Sequence, residues 1–174
     1  DKKSIIKNIS IVMQGPLSVK NIQTIHDNCI SWKNILPESE LILSISQLKD
    51  FDFDSKSKLY KKNGENRFHI SLLIDKINEL CDFILISDEC TPLPKIKKDS
   101  SGLNNINYQI KSSYLGLCKA SKKYALKVRL DISFENTYFI DFYLNNFSFP
   151  RKKRKCLQQR ILIPSIYTLN PFSK

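Results

Sequence analysis

The chain is poor in the residues that usually advertise a function. Glycine is scarce at 4 in 174 residues, and there is one methionine and one tryptophan. Asparagine, lysine, isoleucine and serine dominate instead, which reads as base-composition bias. The GxGxxG fingerprint is absent, so nothing points to a dinucleotide cofactor. No nucleophile elbow supports Ser/His/Asp catalysis. The two histidines, His26 and His69, have no partner at metal-ligand spacing and read as structural or surface residues. The five cysteines (Cys29, Cys81, Cys90, Cys118 and Cys156) form no CxxC pair, and their number is odd. Neither a disulfide framework nor a zinc site is supported, and reduced, packed thiols in a cytoplasmic protein are the simpler reading. No apolar run is long enough to span a membrane, and the first residues lack the apolar core of a signal peptide.

Acidic residues are also outnumbered. There are 28 Lys and Arg against 17 Asp and Glu, for a formal charge of +11. A basic protein favours an anionic partner: nucleic acid, phospholipid headgroups or a nucleotide-linked substrate. The basic residues are not interleaved with aromatics in a recognisable module, and no helix-turn-helix, RRM or zinc pattern occurs. That speaks against nucleic acid.

What is present reads as one α/β domain over residues 1–174, of ordinary globular composition. Ile9–Gln14 is a buried strand, and Gly15-Pro16 a turn after it. Asn21–Trp32 is a helix with Ile22, Ile25, Cys29 and Trp32 on one face. Glu40–Ser46 is a second apolar strand, so a parallel unit with a right-handed crossover is expected. Lys49–Asn66 reads as a solvated loop. Its alternate acids Asp50, Asp52 and Asp54 lack the glycine and closing glutamate of a calcium loop. Ser71–Leu80 is a short helix and Asp82–Ser87 a third strand. Asp88 and Glu89 follow it, either as acidic ligand or base, or simply as a solvated loop. Asn105–Lys123 is the clearest helix, with a stripe of Ile106, Ile110, Tyr114, Leu117, Ser121 and Tyr124. Beside it runs a smaller set, Gln109, Ser113, Gly116 and Ala120. Glycine inside a helix costs about 1 kcal/mol against alanine, so Gly116 implies a close contact. An aromatic segment, Phe134–Phe149, precedes the cation run Arg151-Lys152-Lys153-Arg154-Lys155 and a last strand, Arg160–Pro164.

The most informative stretch is Tyr124-Ala-Leu-Lys-Val-Arg-Leu-Asp131. Tyr124, Leu126, Val128 and Leu130 point one way. Ala125, Lys127, Arg129 and Asp131 point the other, because strand side chains repeat every two residues. Two cations and an anion therefore lie in line, with the anion at the carboxyl end, where ligands gather in open α/β sheets. A phosphorylated ligand, with or without a divalent metal, fits that line. A structural ion pair fits it too. Gln14 ends the first strand near the same edge and suits a base or ribose, with Gly15 and Pro16 beside it. Asn107 and Gln109 open the helix before the site strand, where helix N-termini favour anions.

Four segments, in this order, carry a family resemblance: Ile-Ser-Ile-Val-Met-Gln-Gly-Pro-Leu (9–17), Asn107-x-Gln109-x-x-Ser112-x-x-x-Gly116-Leu117-x-x-Ala120, the strand ending Arg129-Leu130-Asp131, and Arg160-Ile-Leu-Ile-Pro164. The chain resembles the WavE lipopolysaccharide-synthesis family of glycosyltransferases. It departs from the family pattern at Tyr108, where arginine is expected, and at Leu130, where threonine is usual. The resemblance implies a GT-A-like, Rossmann-like fold: a mostly parallel sheet flanked by helices. It implies a nucleotide-sugar donor and a divalent metal, Mn²⁺ or Mg²⁺, at Asp131, with Gln14, Gly15, Pro16, Asn107, Gln109 and Arg129 around the donor. The acceptor is expected to be a lipid-linked saccharide of a bacterial surface glycan. The protein is then cytoplasmic, with Arg151–Lys155 able to touch anionic lipid of the inner membrane. The family pattern also leads us to expect a further acidic and aromatic motif beyond residue 174, so that the chain is C-terminally truncated and its catalytic base unidentified. The alternative is a non-catalytic basic module for nucleic acid or anionic lipid.

Overall fold

A computed structural model describes residues 2–48, 51–54, 58–61, 68–87, 90–91, 94 and 104–145. The elements in chain order are α1 (Lys2–Ile6), β1 (Ile9–Leu17), α2 (Ile22–Ile35), β2 (Glu40–Leu48), β3 (Phe51–Asp54), β4 (Lys58–Lys61), α3 (Phe68–Leu80), β5 (Phe83–Ile86), α4 (Ile106–Lys119), β6 (Tyr124–Arg129) and α5 (Tyr138–Asn145). The sheet lies within a unit spanning Lys3–Asn136, and α5 belongs to a second, smaller unit.

Four strands form an all-parallel sheet in the order β5-β2-β1-β6. The chain steps outward from β1 to β2 to β5, then crosses back to place β6 on the other side of β1. The order therefore reverses between β1 and β6, which makes their carboxyl ends a topological switch point. This is the expected α/β class: a parallel sheet flanked by helices. β3 and β4 form a separate antiparallel pair. The solvated loop expected over Lys49–Asn66 is thus interrupted by a hairpin, because Phe51 and Phe53 alternate with the acids at strand period.

One sheet face is apolar. Ile11, Met13, Leu41, Leu43 and Ile45 are fully buried, and α2 covers them with Ile25, Cys29 and Trp32. Cys29 Sγ meets Met13 Sδ at 3.9 Å. α3 packs on α2. A contact with the Cys29 thiol, and then burial, push the Cys81 thiol up.

The opposite face is small and polar. Ser10, Val12 and Gln14 of β1 and Ser44 and Ser46 of β2 are buried there, and α4 lies directly on them. A Cβ on Gly116 would fall 2.4 Å from Val12 Cγ1 and 3.1 Å from Ser44 Cβ, so only glycine permits this approach. Ser44 Oγ donates to the Ser112 carbonyl at 2.6 Å. Ser112 and Gly116 are therefore the buried residues of α4. The apolar stripe faces outward: Ile106, Ile110, Tyr114 and Leu117 are exposed. α4 ends at Lys119, so Ser121 and Tyr124 are not part of it. Close packing favours the small face of this helix over its greasy one.

Two further details shape the site edge. Gly15-Pro16 does not end β1. The strand runs on to Leu17, with a register shift against β2 between Gly15 and Pro16. β6 ends at Arg129, and Leu130 and Asp131 form a turn. No described helix is long and apolar enough to cross a membrane.

Candidate functional site at the β1–β6 switch point

A cavity of about 330 Å³ opens at the carboxyl ends of β1 and β6, at the lower end of the range for small-molecule sites. β1 contributes Gln14, Gly15 and Pro16, β6 contributes Lys127 and Arg129, and the turn after it Leu130 and Asp131. Ser46 and Gln47 come from β2, Asn21 from the start of α2, and Asn105, Tyr108 and Gln109 from the start of α4.

Parallel pairing explains the convergence. Gln14 stands opposite Arg129 in the β1–β6 register, and Pro16 opposite Gln47 in the β1–β2 register. Residues far apart in sequence thus reach one edge. The turn after β6 is held from both sides. The Leu130 backbone N–H donates to the Gln14 carbonyl at 3.0 Å, and the Asn28 side-chain amide donates to the Leu130 carbonyl at 2.8 Å. Leu130 is buried, as its place on the inward side of the alternation predicts. Its side chain also occupies the space a Cβ on Gly15 would need, with Leu130 Cγ at 3.3 Å, and Gly15 has φ +157. The glycine thus serves the packing of the turn as well as lining the cavity. Asn21 holds the other rim: its Nδ2 donates to the Pro16 carbonyl at 2.9 Å, and its Oδ1 accepts from the Ser18 backbone N–H at 2.8 Å.

Gln14 is 3% exposed and lines the cavity. Its side-chain amide makes no hydrogen bond with any described residue, and it reaches the open space of the cavity rather than being sealed from solvent. Lys127 likewise lines the cavity without an ion-pair partner among the described residues. Its side chain is exposed at the cavity, where partial desolvation, and then the like charge of Arg129, lower its ammonium below the ordinary lysine value. Arg129 grips Asp131 with two bonds, Nε to Oδ1 at 2.8 Å and Nη2 to Oδ2 at 2.7 Å. The hydrogen bonds from Arg129 lower the Asp131 carboxyl against the opposing effect of burial.

Of the residues singled out from sequence, Gln14, Gly15, Pro16, Gln109, Arg129 and Asp131 surround this cavity, whereas Asn107 does not. Its Nδ2 donates instead to the Thr91 carbonyl at 3.0 Å. One helical step separates it from Tyr108, which does line the cavity. Asn105, Asn21, Ser46 and Gln47 carry no signal in the sequence as site residues, and Tyr108 is marked only as the position where the family resemblance expects arginine. Only the parallel pairing of β1 with β2 could have drawn Ser46 and Gln47 in. Asp50, Asp88, Glu89, the run Arg151–Lys155 and the segment Arg160–Pro164 lie outside the described residues.

The residues fit a divalent metal poorly. Among the described residues Asp131 is the only carboxylate lining the cavity, and Arg129 occupies both of its oxygens. No group of three metal-ligating side chains exists among the described residues. Comparison with protein-family models, with curated proteins and with solved structures gives no match.

Proposed function

We propose that the α/β unit is the donor-binding part of a glycosyltransferase of GT-A-like plan, taking a nucleoside-diphosphate sugar and serving the assembly of a surface glycan such as lipopolysaccharide. One observation carries the reading. A buried, unpartnered Gln14 amide opens on the same switch-point cavity as two cations, Lys127 and Arg129. A nucleoside diphosphate offers both complements: a base or ribose edge for the amide, and phosphates for the cations. Tyr108, at the start of α4, adds an aromatic surface beside them.

In the transfer, the bond from the anomeric carbon to the diphosphate oxygen breaks, and that oxygen keeps the electron pair. The acceptor oxygen forms the new bond and gives its proton to a base. Lys127 and Arg129 would stabilise the charge growing on the leaving diphosphate. The acceptor in this reading is a lipid-linked saccharide at the inner membrane, with Arg151–Lys155 as the contact to anionic lipid.

A second reading, nucleotide binding without transfer, is favoured by one feature. The only carboxylate that the described residues bring to the cavity is held at both oxygens by Arg129, so it is not placed as a general base. The two readings share the donor site. Thermal unfolding followed during titration with UDP, CMP and GDP tests both. A ligand at 100 times its dissociation constant adds about 2.7 kcal/mol. Indifference to all three nucleotides contradicts both. Binding together with sugar transfer to a saccharide acceptor selects the first.

A further inference from the structure

We infer that the site neutralises a diphosphate with Lys127 and Arg129 and binds it without a divalent cation. The inference rests on the donor-site reading above, and goes against the metal that the family resemblance implies at Asp131.

Charge decides the matter. Lys127 and Arg129 bring two positive charges to the cavity and Asp131 one negative, which leaves a net +1 among the described lining residues. A diphosphate is a polyanion and is drawn to that excess directly. A Mn²⁺ or Mg²⁺ ion would meet described lining residues whose sum is already positive. It would compete with Arg129 for the oxygens of Asp131, and it would sit beside two cations with one described carboxylate, besides the phosphates themselves, to balance it. Protein sites for these ions rely on carboxylates together with phosphate oxygens, in near-ideal octahedral geometry for Mg²⁺. Here the carboxylate is already committed.

The geometry gives each cation a distinct task. Arg129 is fixed in orientation by its two bonds to Asp131, so Asp131 acts as a positioning residue. Lys127 stands two residues earlier on the same side of β6. It is exposed at the cavity and has no counter-ion among the described residues, and partial desolvation together with the like charge of Arg129 disfavours its charge. A cation at the cavity edge with no described counter-ion can meet an anionic ligand there. Lys127 is therefore the principal phosphate-binding residue, a role the sequence suggests only through its place in the alternation.

The test titrates UDP, GDP and inorganic pyrophosphate into the whole chain, once in EDTA and once in Mn²⁺. It covers the wild type, Lys127→Gln, Lys127→Arg and Asp131→Asn, each checked for folding by thermal unfolding. The inference expects saturable binding in EDTA, no tighter in Mn²⁺. It expects Lys127→Gln to weaken that binding by about tenfold or more, the scale of one hydrogen bond to a charged group, with Lys127→Arg restoring much of it. Asp131→Asn should weaken binding no more than Lys127→Gln does and leave it independent of Mn²⁺, since Arg129 loses its charged anchor while the pocket loses a negative charge. Binding that requires Mn²⁺ and disappears in Asp131→Asn overturns the inference and leaves the donor-site reading standing. Binding in EDTA that is indifferent to Lys127→Gln also overturns it. Failure of all three probes with and without Mn²⁺ overturns both.

Discussion

The side-chain amide of Asn28, on α2, donates to the backbone carbonyl of Leu130, 102 residues later in the chain, at 2.8 Å and out of contact with water. This bond ties the helix on the apolar face of the sheet to the turn that carries Asp131. Asn28→Ala leaves the Leu130 carbonyl buried without that donor, at a cost of about 1–3 kcal/mol. Urea unfolding measures it. We expect the ligand affinity of the cavity to fall as well, because the turn loses one of its two anchors. A variant as stable as wild type would show that the turn is held by its backbone bond to Gln14 alone.

Gly116→Ala tests the closest approach in the fold. Alanine improves helix propensity by about 1 kcal/mol, but its Cβ would meet Val12 Cγ1 at 2.4 Å. Val12 is fully buried in the central strand and has little room to move. Overpacking of this kind typically costs about 1–3 kcal/mol, which outweighs the propensity gain. Adding Val12→Ala should recover part of the loss, so the double variant is more stable than the two single effects summed. Additive losses would argue against the contact.

Glu40 gives a pH-dependent prediction at the opposite end of the sheet. Its Oε2 accepts from Ser10 Oγ at 2.5 Å and from the Ser121 backbone N–H at 2.9 Å, and its Oε1 accepts from Ser121 Oγ at 2.7 Å. Burial works to raise its pKa, but these bonds outweigh it and leave the value lowered. The folded value therefore lies below the unfolded one. The clasp contributes fully above the unfolded glutamate range, and the contribution is lost as pH falls through the folded value. Stability measured from neutral to acid pH should drop less steeply in Glu40→Gln than in wild type. Parallel curves would remove Glu40 from the account.

Gln14→Leu separates ligand binding from folding. The amide has no partner among the described residues, so replacing it with an apolar group of similar size should cost the fold little or stabilise it. Nucleotide affinity should fall by about 0.5–1.5 kcal/mol, one neutral hydrogen bond. Calorimetric titration reads the second effect and urea unfolding the first. A large loss of stability with unchanged affinity would make Gln14 a structural residue.

Much of this architecture is legible in the sequence because strands and helices leave periodic traces. The alternation from Tyr124 to Asp131 places Leu130 inward, and Gly116 announces a tight contact. Where the reading fails, the cause is specific. On α4 the small face with Gly116 does meet Val12 and Ser44, but Ser112 rather than Ser113 is buried beside it, a shift of one residue that the small-residue pattern does not resolve. Gly15-Pro16 carries a turn signal that a register shift within β1 absorbs. Asp52 and Asp54, which alternate with Phe51 and Phe53, make a strand look like part of a polar loop. Ser46 and Gln47 become site residues only through pairing with β1, a long-range fact with no local mark. Asn107 stands one helical step out of phase with the cavity.

The central claim is that the β1–β6 switch point is a nucleotide site, and amide chemical-shift mapping during titration with UDP and GDP tests it most directly. The account predicts saturable shifts concentrated at Gln14, Gly15, Gln109, Lys127, Arg129 and Asp131, with the exposed face of α4 unaffected. Saturable shifts clustered elsewhere, or none at any concentration of either nucleotide, would contradict it.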